Sequence, residues 1–469
     1  MKRIQTNGRP AGAIQNSAFN NQWTGANASI TCDRLMPSRQ VLGDCTMGCV
    51  SRPETSRESV EATTPPCLLS RQQHTVIDLQ DVRRIALMVT PQCVGTPIDQ
   101  AWEAVSTIRA IMLQQPVAMT VSMQTIFVKS ADLIPAIRRL LESYFMDTMP
   151  ATTFIVQPPA GGQALAIEAW ALGGKNVEVD FPTTDIVTVQ YNDMRWIHVG
   201  GIVAPEHFHE SAYAEAEFVF ADLAGRLDRI GATMADVPRV WLYQDQIVEL
   251  ESGTERYREL NRARTDFFDQ QNAAGFMKIG EAGQVIYPAS TGIGMTGGGL
   301  TVSALGLQTD RDDIVIRPLE NPSQTSAFDY DQRFSLKSPK FARAMAMSID
   351  DYVTTWVSGT ASILEAESVH LGDAEKQTEQ TIDNIQRLIS PDNLKRHGFE
   401  GVHPQLADIA KLRVYVKNPE DQPVCEAVCR RRFGNVPAIY AIADVCRPEL
   451  LVEIEGVAFT KRQPDPGQH

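Results

Sequence analysis

The chain has 469 residues, 43% of them hydrophobic and 21% charged, and a formal net charge of −14 at pH 7. This is the make-up of an ordinary soluble globular protein with room for two to four domains. The acidic balance argues against a general nucleic-acid binder, since no basic excess exists to displace counterions, yet a few local arginines suffice to grip a small anionic substrate.

No run of about 18 apolar residues occurs, so no membrane span is expected, and the opening MKRIQTNGRP lacks the apolar core of a signal peptide. The cysteines, Cys32, Cys45, Cys49, Cys67, Cys93, Cys425, Cys429 and Cys446, are scattered. That reads as a reducing, cytoplasmic setting rather than a disulfide framework. Cys45 with Cys49, and Cys425 with Cys429, are spaced by four, a weak zinc pattern, and no metal site is assigned.

Residues 1–74 are polar, rich in Ser, Thr, Asn, Pro and Gly, and without periodicity, which predicts a disordered or loosely packed extension. From about residue 75 one order of elements recurs three times: helix, strand, short helix, strand, strand. In the first copy these are 101–113, 117–129, 132–145, 150–157 and 163–174. The second copy opens with an extra strand around 196–203. Its helix is 214–231, its next strand lies within 231–244, its short helix is 256–268, and strands 287–294 and 300–307 close it. The third has a strand at 354–363 broken by Gly359, a helix at 373–389, a strand within 406–421, a short helix at 425–433, and strands at 437–445 and 450–459.

A Pro-Ala pair marks the same point in each copy: Pro150–Ala151, Pro288–Ala289 and Pro437–Ala438. Copies this long are domains, each a sheet with helices on one face, so the expected fold is α+β, three like units around a pseudo-threefold axis within one chain. The predicted boundaries are 75–185, 186–310 and 354–462 for the units, 311–353 for an irregular segment, and 463–469 for a tail. Long irregular segments in compact proteins are often functional.

The last copy carries the most unusual stretch. Leu450, Val452, Ile454 and Val457 form an apolar strand pattern with Glu453 and Glu455 at alternate positions. Both carboxylates point to one face, opposite Val452 and Ile454. Two readings follow: a half-buried edge strand with a solvated acidic face, or a strand on which one Glu lines a cleft with a raised pKa and donates a proton.

The stretches GATMADVPRVWLY, QTEQTIDNIQRLI and VEIEGVAF resemble the YjgF/RidA imine-deaminase family, which forms trimers with active sites between subunits. That family places an Arg after the Pro-Ala pair. Here Thr152, Ser290 and Ile439 stand there, so the resemblance implies the fold, three YjgF/RidA-like units, without that reaction. The second and third copies look more specifically like a chorismatase. The matching stretches are LNRARTDFF (260–268), YPASTGIG (287–294), PLENPSQTSAFDY (318–330), SPKFARA (338–344), VSGTASI (357–363) and ADVCRPELLVEIEGVAF (443–459).

The chorismatase resemblance implies cleavage of the enolpyruvyl ether of chorismate, with release of pyruvate and no cofactor. A pteridine-dependent dioxygenase has no support here, since neither a metal facial triad nor a flavin fingerprint is present. The family's catalytic glutamate falls on Glu453. Ala166 and Thr301 stand at the equivalent positions, so one active site per chain is expected, with Glu455 structural. Arg264 is the candidate carboxylate clamp, and Tyr243 and Tyr330 are candidate ligand donors. One of Arg430, Arg431 and Arg432 reaching the pocket stays open. Gly359 and Cys446 match the family's 3-hydroxybenzoate-forming type, with Gly359 leaving room for the substrate ring and Cys446 handling a ring proton. The hydrolytic type, a further branch making 4-hydroxybenzoate, and a non-catalytic binding protein remain the alternatives. A chain that supplies its own three units is expected to be a monomer acting on chorismate, without nucleic-acid or membrane partners.

Overall fold

A computed structural model describes residues 73–79, 81–209, 211–326 and 337–462. Nearly all of the expected extension, the tail 463–469 and Tyr330 lie outside the described residues.

The first unit contains β1 (His74–Leu79), β2 (Val82–Val89), α1 (Pro97–Leu113), β3 (Thr120–Val128), α2 (Ile134–Phe145), β4 (Ala151–Val156) and β5 (Leu165–Gly174). The second contains β6 (Glu178–Thr183), β7 (Ile186–Tyr191), β8 (Met194–Val203), α3 (Ala212–Arg229), β9 (Arg239–Asp245), α4 (Arg256–Ala273), β10 (Ala289–Met295) and β11 (Leu300–Thr309). The third contains β12 (Val315–Leu319), β13 (Ala344–Ile349), β14 (Tyr352–Ala361), α5 (Ala374–Leu388), α6 (Pro391–Arg396), β15 (Ile409–Val416), α7 (Gln422–Phe433), β16 (Ala438–Ile442) and β17 (Val452–Lys461). Helix starts follow local chemistry. Thr96 and Asp99 form a capping box ahead of α1, with Pro97 in its first turn, while Ser211 and Asp373 cap α3 and α5.

Strand orders are β1-β2-β5-β3-β4, β10-β9-β11-β8-β7-β6 and β12-β13-β14-β17-β15-β16. One topology recurs. Each sheet has one parallel pair at an edge, β3/β4, β9/β10 and β15/β16, and antiparallel neighbours elsewhere. Parallel neighbours need a crossover, and α2, α4 and α7 supply it. The final strand of each unit then inserts beside the first member of the pair. The chain thus has the α+β architecture of three like units that the repeat implied.

Two boundaries differ from the expectation. β6, placed by sequence in the first unit, pairs with β7 and extends the second sheet. The stretch 311–353, expected to be irregular, contains strands near both ends. β12 and β13 pair with each other, and β13 with β14, so they widen the third sheet. Its short β-branched and apolar runs, VIRPL and AMAMSI, are too brief for periodicity to separate from loop.

Each sheet covers its outer face with its own helices, giving three separate apolar clusters. The inner faces of all three sheets meet in a fourth. β17 shows how alternation feeds both. Val452, Ile454 and Ala458 face the helices, whereas Val457 faces the shared centre. Burying each of Val452 and Ile454 stabilises by about 1.5–3 kcal/mol, which pins the register and sends Glu453 and Glu455 inward. β17 is an interior strand with β14 and β15 on either side, so the reading of a solvated edge is wrong. Glu453 is 4% exposed and Glu455 3%. Among the described residues no helix is long and apolar enough to cross a membrane.

Candidate active site

The two carboxylates of β17 meet different surroundings. Glu455 enters a buried network assembled from all three units. It accepts hydrogen bonds from Arg239 and Thr291, from Trp241 Nε1 (3.1 Å to Oε2) and from the Tyr415 hydroxyl (3.0 Å), and it pairs with Arg413 (3.0 Å). Arg413 and Lys411 also hold Glu168 of β5. Burial alone pushes both acids up, but the cations outweigh it. Glu455 stays below the usual carboxylate range, and Glu168 falls to about 2 under Arg413 and Lys411. Glu455 is therefore an ionised carboxylate at the centre of this network.

Glu453 has no such company. It lines a cavity of about 300 Å³ between the second and third units, whose walls include Tyr257, Arg264, Ser290, Arg343, Gly359 and Cys446. Burial first, and then the neighbouring Glu455 carboxylate, push its pKa up to about 8, against partial relief from Arg239 and Arg343. At neutral pH Glu453 is mostly a protonated acid facing a cavity with guanidinium groups, an arrangement suited to donating a proton to an anionic substrate.

Gly359 explains how the carboxyl fits. The β14/β17 register slips between Val357 and Thr360, a bulge at the point where the sequence predicts a break. The Gly359 N–H leaves the ladder and donates to Thr291 Oγ1 (2.9 Å). A Cβ at 359 would overlap Glu453 Oε1 and stand 2.8 Å from its Cδ and 3.0 Å from Thr291 Cγ2. The space a methyl would occupy is thus filled by the Glu453 carboxyl itself.

Arg264 projects from α4 and is 2% exposed. It donates to Asn261 Oδ1 (2.6 Å), its Nη1 lies 3.5 Å from Ser290 Oγ, and its Nε has no partner among the described residues. Burial lowers its pKa, opposed by Tyr257. Ser290 follows a Pro-Ala pair, so the guanidinium beside this position comes from the helix rather than from the strand. Ser358 Oγ ties the walls together, accepting from Ser290 N (2.9 Å) and donating to Ala342 O (2.7 Å).

Cys446 sits in the turn between β16 and β17. That turn is fastened to the second unit where Gly294 N donates to Asp444 O (2.8 Å), a contact so close that a Cβ on Gly294 would stand 2.7 Å from that oxygen. Burial, with Glu453 beside it, pushes the Cys446 thiol up to about 12, so it is a neutral thiol.

The structure brings together Glu453, Gly359, Cys446 and Arg264, and leaves Tyr243 apart. Tyr243 is fully buried and its hydroxyl accepts from Arg413 in the central network, so it does not line this cavity. A tyrosine ending a strand points to either face, and only the inward packing of β9 decides which. Arg430, Arg431 and Arg432 pair with Glu426, Glu379 and Asp383 on the helix surface, and none lines the cavity. Sequence reasoning missed Arg343, Tyr257 and Arg447 on the cavity wall. Arg343 stood inside the matched stretch SPKFARA, which was the available signal.

Residues 175–306 match the family model for chorismatase FkbO/Hyg5-like proteins, N-terminal part. A 3-hydroxybenzoate synthase of Streptomyces hygroscopicus is 34% identical over 274 residues, 57% of this chain and 75% of that protein. A chorismatase of the same organism is 35% identical over 221 residues, 47% of this chain and 60% of that protein. A crystal structure of a chorismatase superposes with a TM-score of 0.56 at 25% identity, covering 72% of this chain and 93% of that one. The chain belongs to the chorismatase FkbO/Hyg5 family.

Proposed function

We propose that this protein cleaves the enolpyruvyl ether of chorismate to pyruvate and 3-hydroxybenzoate, with Glu453 as general acid, acting as a monomer in the cytoplasm. The observation that carries the reading is the protonated Glu453 carboxyl, pressed against Gly359 on the wall of a cavity that Arg264 and Arg343 also line. Chorismate carries two carboxylates, and guanidinium groups bind carboxylates bidentately. Arg264, with an Nε–H to spare, takes one of them.

Glu453 gives its proton to the terminal methylene of the enolpyruvyl group and leaves an oxocarbenium ion. The neighbouring ring hydroxyl attacks the ring carbon that bears the ether and loses its proton. The carbon–oxygen bond breaks, its electron pair passes to the ether oxygen, and pyruvate leaves. The arene-oxide-like ring then aromatises by losing a ring proton, with Cys446 as the neutral group beside it. No water is consumed. Protonating carbon is difficult and needs a desolvated acid, which is what burial makes of Glu453. Tyr330 is the remaining proposed ligand donor, and Tyr243 enters as a support, holding Arg413 beside Glu455.

The test is turnover of chorismate by the purified protein without added metal or pterin, with pyruvate assayed and the ring product identified by chromatography. Pyruvate with 3-hydroxybenzoate supports the reading. Pyruvate with a non-aromatic diol assigns the hydrolytic reaction, and 4-hydroxybenzoate the third. No pyruvate, with binding unchanged in Glu453→Gln, makes the protein a binding module.

A further inference from the structure

A second cavity, of about 100 Å³, lies where the inner faces of the three sheets meet. Its wall includes Arg84 of the first sheet, His198 of the second, Thr354 and Lys411 of the third, and the indoles of Trp170 and Trp356. Arg239 and the ionised Glu455 line it as well, so it lies behind the network that borders Glu453, but it shares no wall residue with the Glu453 cavity.

Two observations single it out. The first is unmet hydrogen bonding. Arg84 Nη1, His198 Nδ1 and Thr354 Oγ1 are buried and have no partner among the described residues. These three groups border one space, and buried polar atoms in folded proteins usually find a partner. Arg84 and Lys411 offer only donors, a hydroxyl offers one, and a neutral imidazole offers one in either tautomer. The second is charge. Lys411, Arg239 and Arg413 face Glu168 and Glu455, three cations against two anions, all buried. Arg84, whose Nη2 donates to the Tyr191 hydroxyl, adds a fourth cation at the cavity edge. An excess of buried positive charge is costly unless an anion accompanies it.

We infer that this central cavity binds one small monovalent anion, a halide or a short carboxylate such as formate, between Lys411, Arg84, His198 and Thr354. The volume is about 100 Å³, against about 300 Å³ for the Glu453 cavity, so a small ion suits it better than a substrate-sized molecule. The indole walls keep water out and strengthen the attraction. Leu79, Arg84 and Tyr191 also border a second, smaller space beside Asp350 and Asp351. The cavity is buried among the three sheets, so the site is measured after long incubation.

The test reads no activity and so stands apart from the proposed reaction. Crystals are grown in sodium bromide and anomalous scattering is recorded at the bromine edge. The expected result is a bromide within hydrogen-bond distance of Lys411 and Arg84 that Lys411→Met removes. Water alone in the cavity, or bromide only on surface lysines (an adventitious ion only), overturns the inference. In solution, melting is compared at fixed ionic strength in bromide, formate and benzenesulfonate, the last too large for the cavity. Bromide and formate should raise the melting temperature where benzenesulfonate does not, and the conservative Thr354→Val should weaken anion affinity at least about threefold. Equal melting in all three salts overturns the inference even if Lys411→Met does not fold.

Discussion

Replacing Gly359 by alanine adds one methyl group at the point where β14 meets Glu453. The backbone there does not require glycine for its dihedral angles, so the effect is steric. The new Cβ would overlap Glu453 Oε1 and lie 2.8 Å from Cδ, whereas ordinary contact begins at 3.4 Å. Thr291 Cγ2, at 3.0 Å, closes the other side. Glu453 must move, because Thr291 is tied to Glu455 and to Gly359 N–H. The carboxyl carbon has to retreat by more than half an ångström, and Oε1 by more. A misplacement of about 1 Å at a reacting group costs on the order of 100-fold in rate, so kcat for 3-hydroxybenzoate should fall about 10- to 100-fold. Because the acid changes position while the cavity otherwise persists, pyruvate release should fall less, and a larger share of the ring product should be the diol. The assay is pyruvate release with chromatographic separation of ring products for both proteins. A variant within threefold of the parent, with the same product, would refute this account of Gly359.

Activity should decline as pH rises through about 8, where Glu453 loses its proton, as seen in kcat/KM profiles. The same shift has a stability consequence. The folded pKa is above the unfolded value, so the contribution is full below about 4.5 and is lost as pH rises through 8. Glu453→Gln should match the parent's stability near pH 4 and exceed it by a few kcal/mol near pH 9, while pyruvate formation falls at least about 100-fold. Denaturant melts at both pH values check this, and a parallel pH dependence in the two proteins would refute it. Arg264→Lys should raise KM for chorismate about 10- to 100-fold, because one ammonium replaces a buried fork of donors. An unchanged KM would remove Arg264 from the carboxylate clamp. Alkylation of Cys446 by iodoacetamide at pH 7.5, followed by peptide mass mapping, should run about three orders of magnitude slower than for a free cysteine, since its thiol sits at about 12. Light scattering should give the mass of one chain, and a trimer would contradict the self-sufficient three-unit arrangement.

What the sequence alone determined is whatever depends on neighbours along the chain. Apolar residues at helical and strand spacing located the elements the three copies share, but not β1, β2, β6, β7, β12, β13 or α6, because where an element buries one face its periodicity records which. The alternation of β17 fixed Glu453 and Glu455 on a common face. The added strands β12 and β13 and the membership of β6 were not legible, since these strands lie outside the repeated order of elements and only their pairing partners assign them to a sheet. Tertiary structure alone decided the chemistry. Glu453 and Glu455 are the same residue type, two positions apart, equally buried and facing the same way. One is an acid at neutral pH and the other a carboxylate. Arg239 arrives from the second unit and Arg413 from β15 to surround Glu455, while Gly359 opens the space that Glu453 fills. Charge in a low-dielectric interior is set by what other strands bring within a few ångströms, and the order of residues along β17 carries none of that.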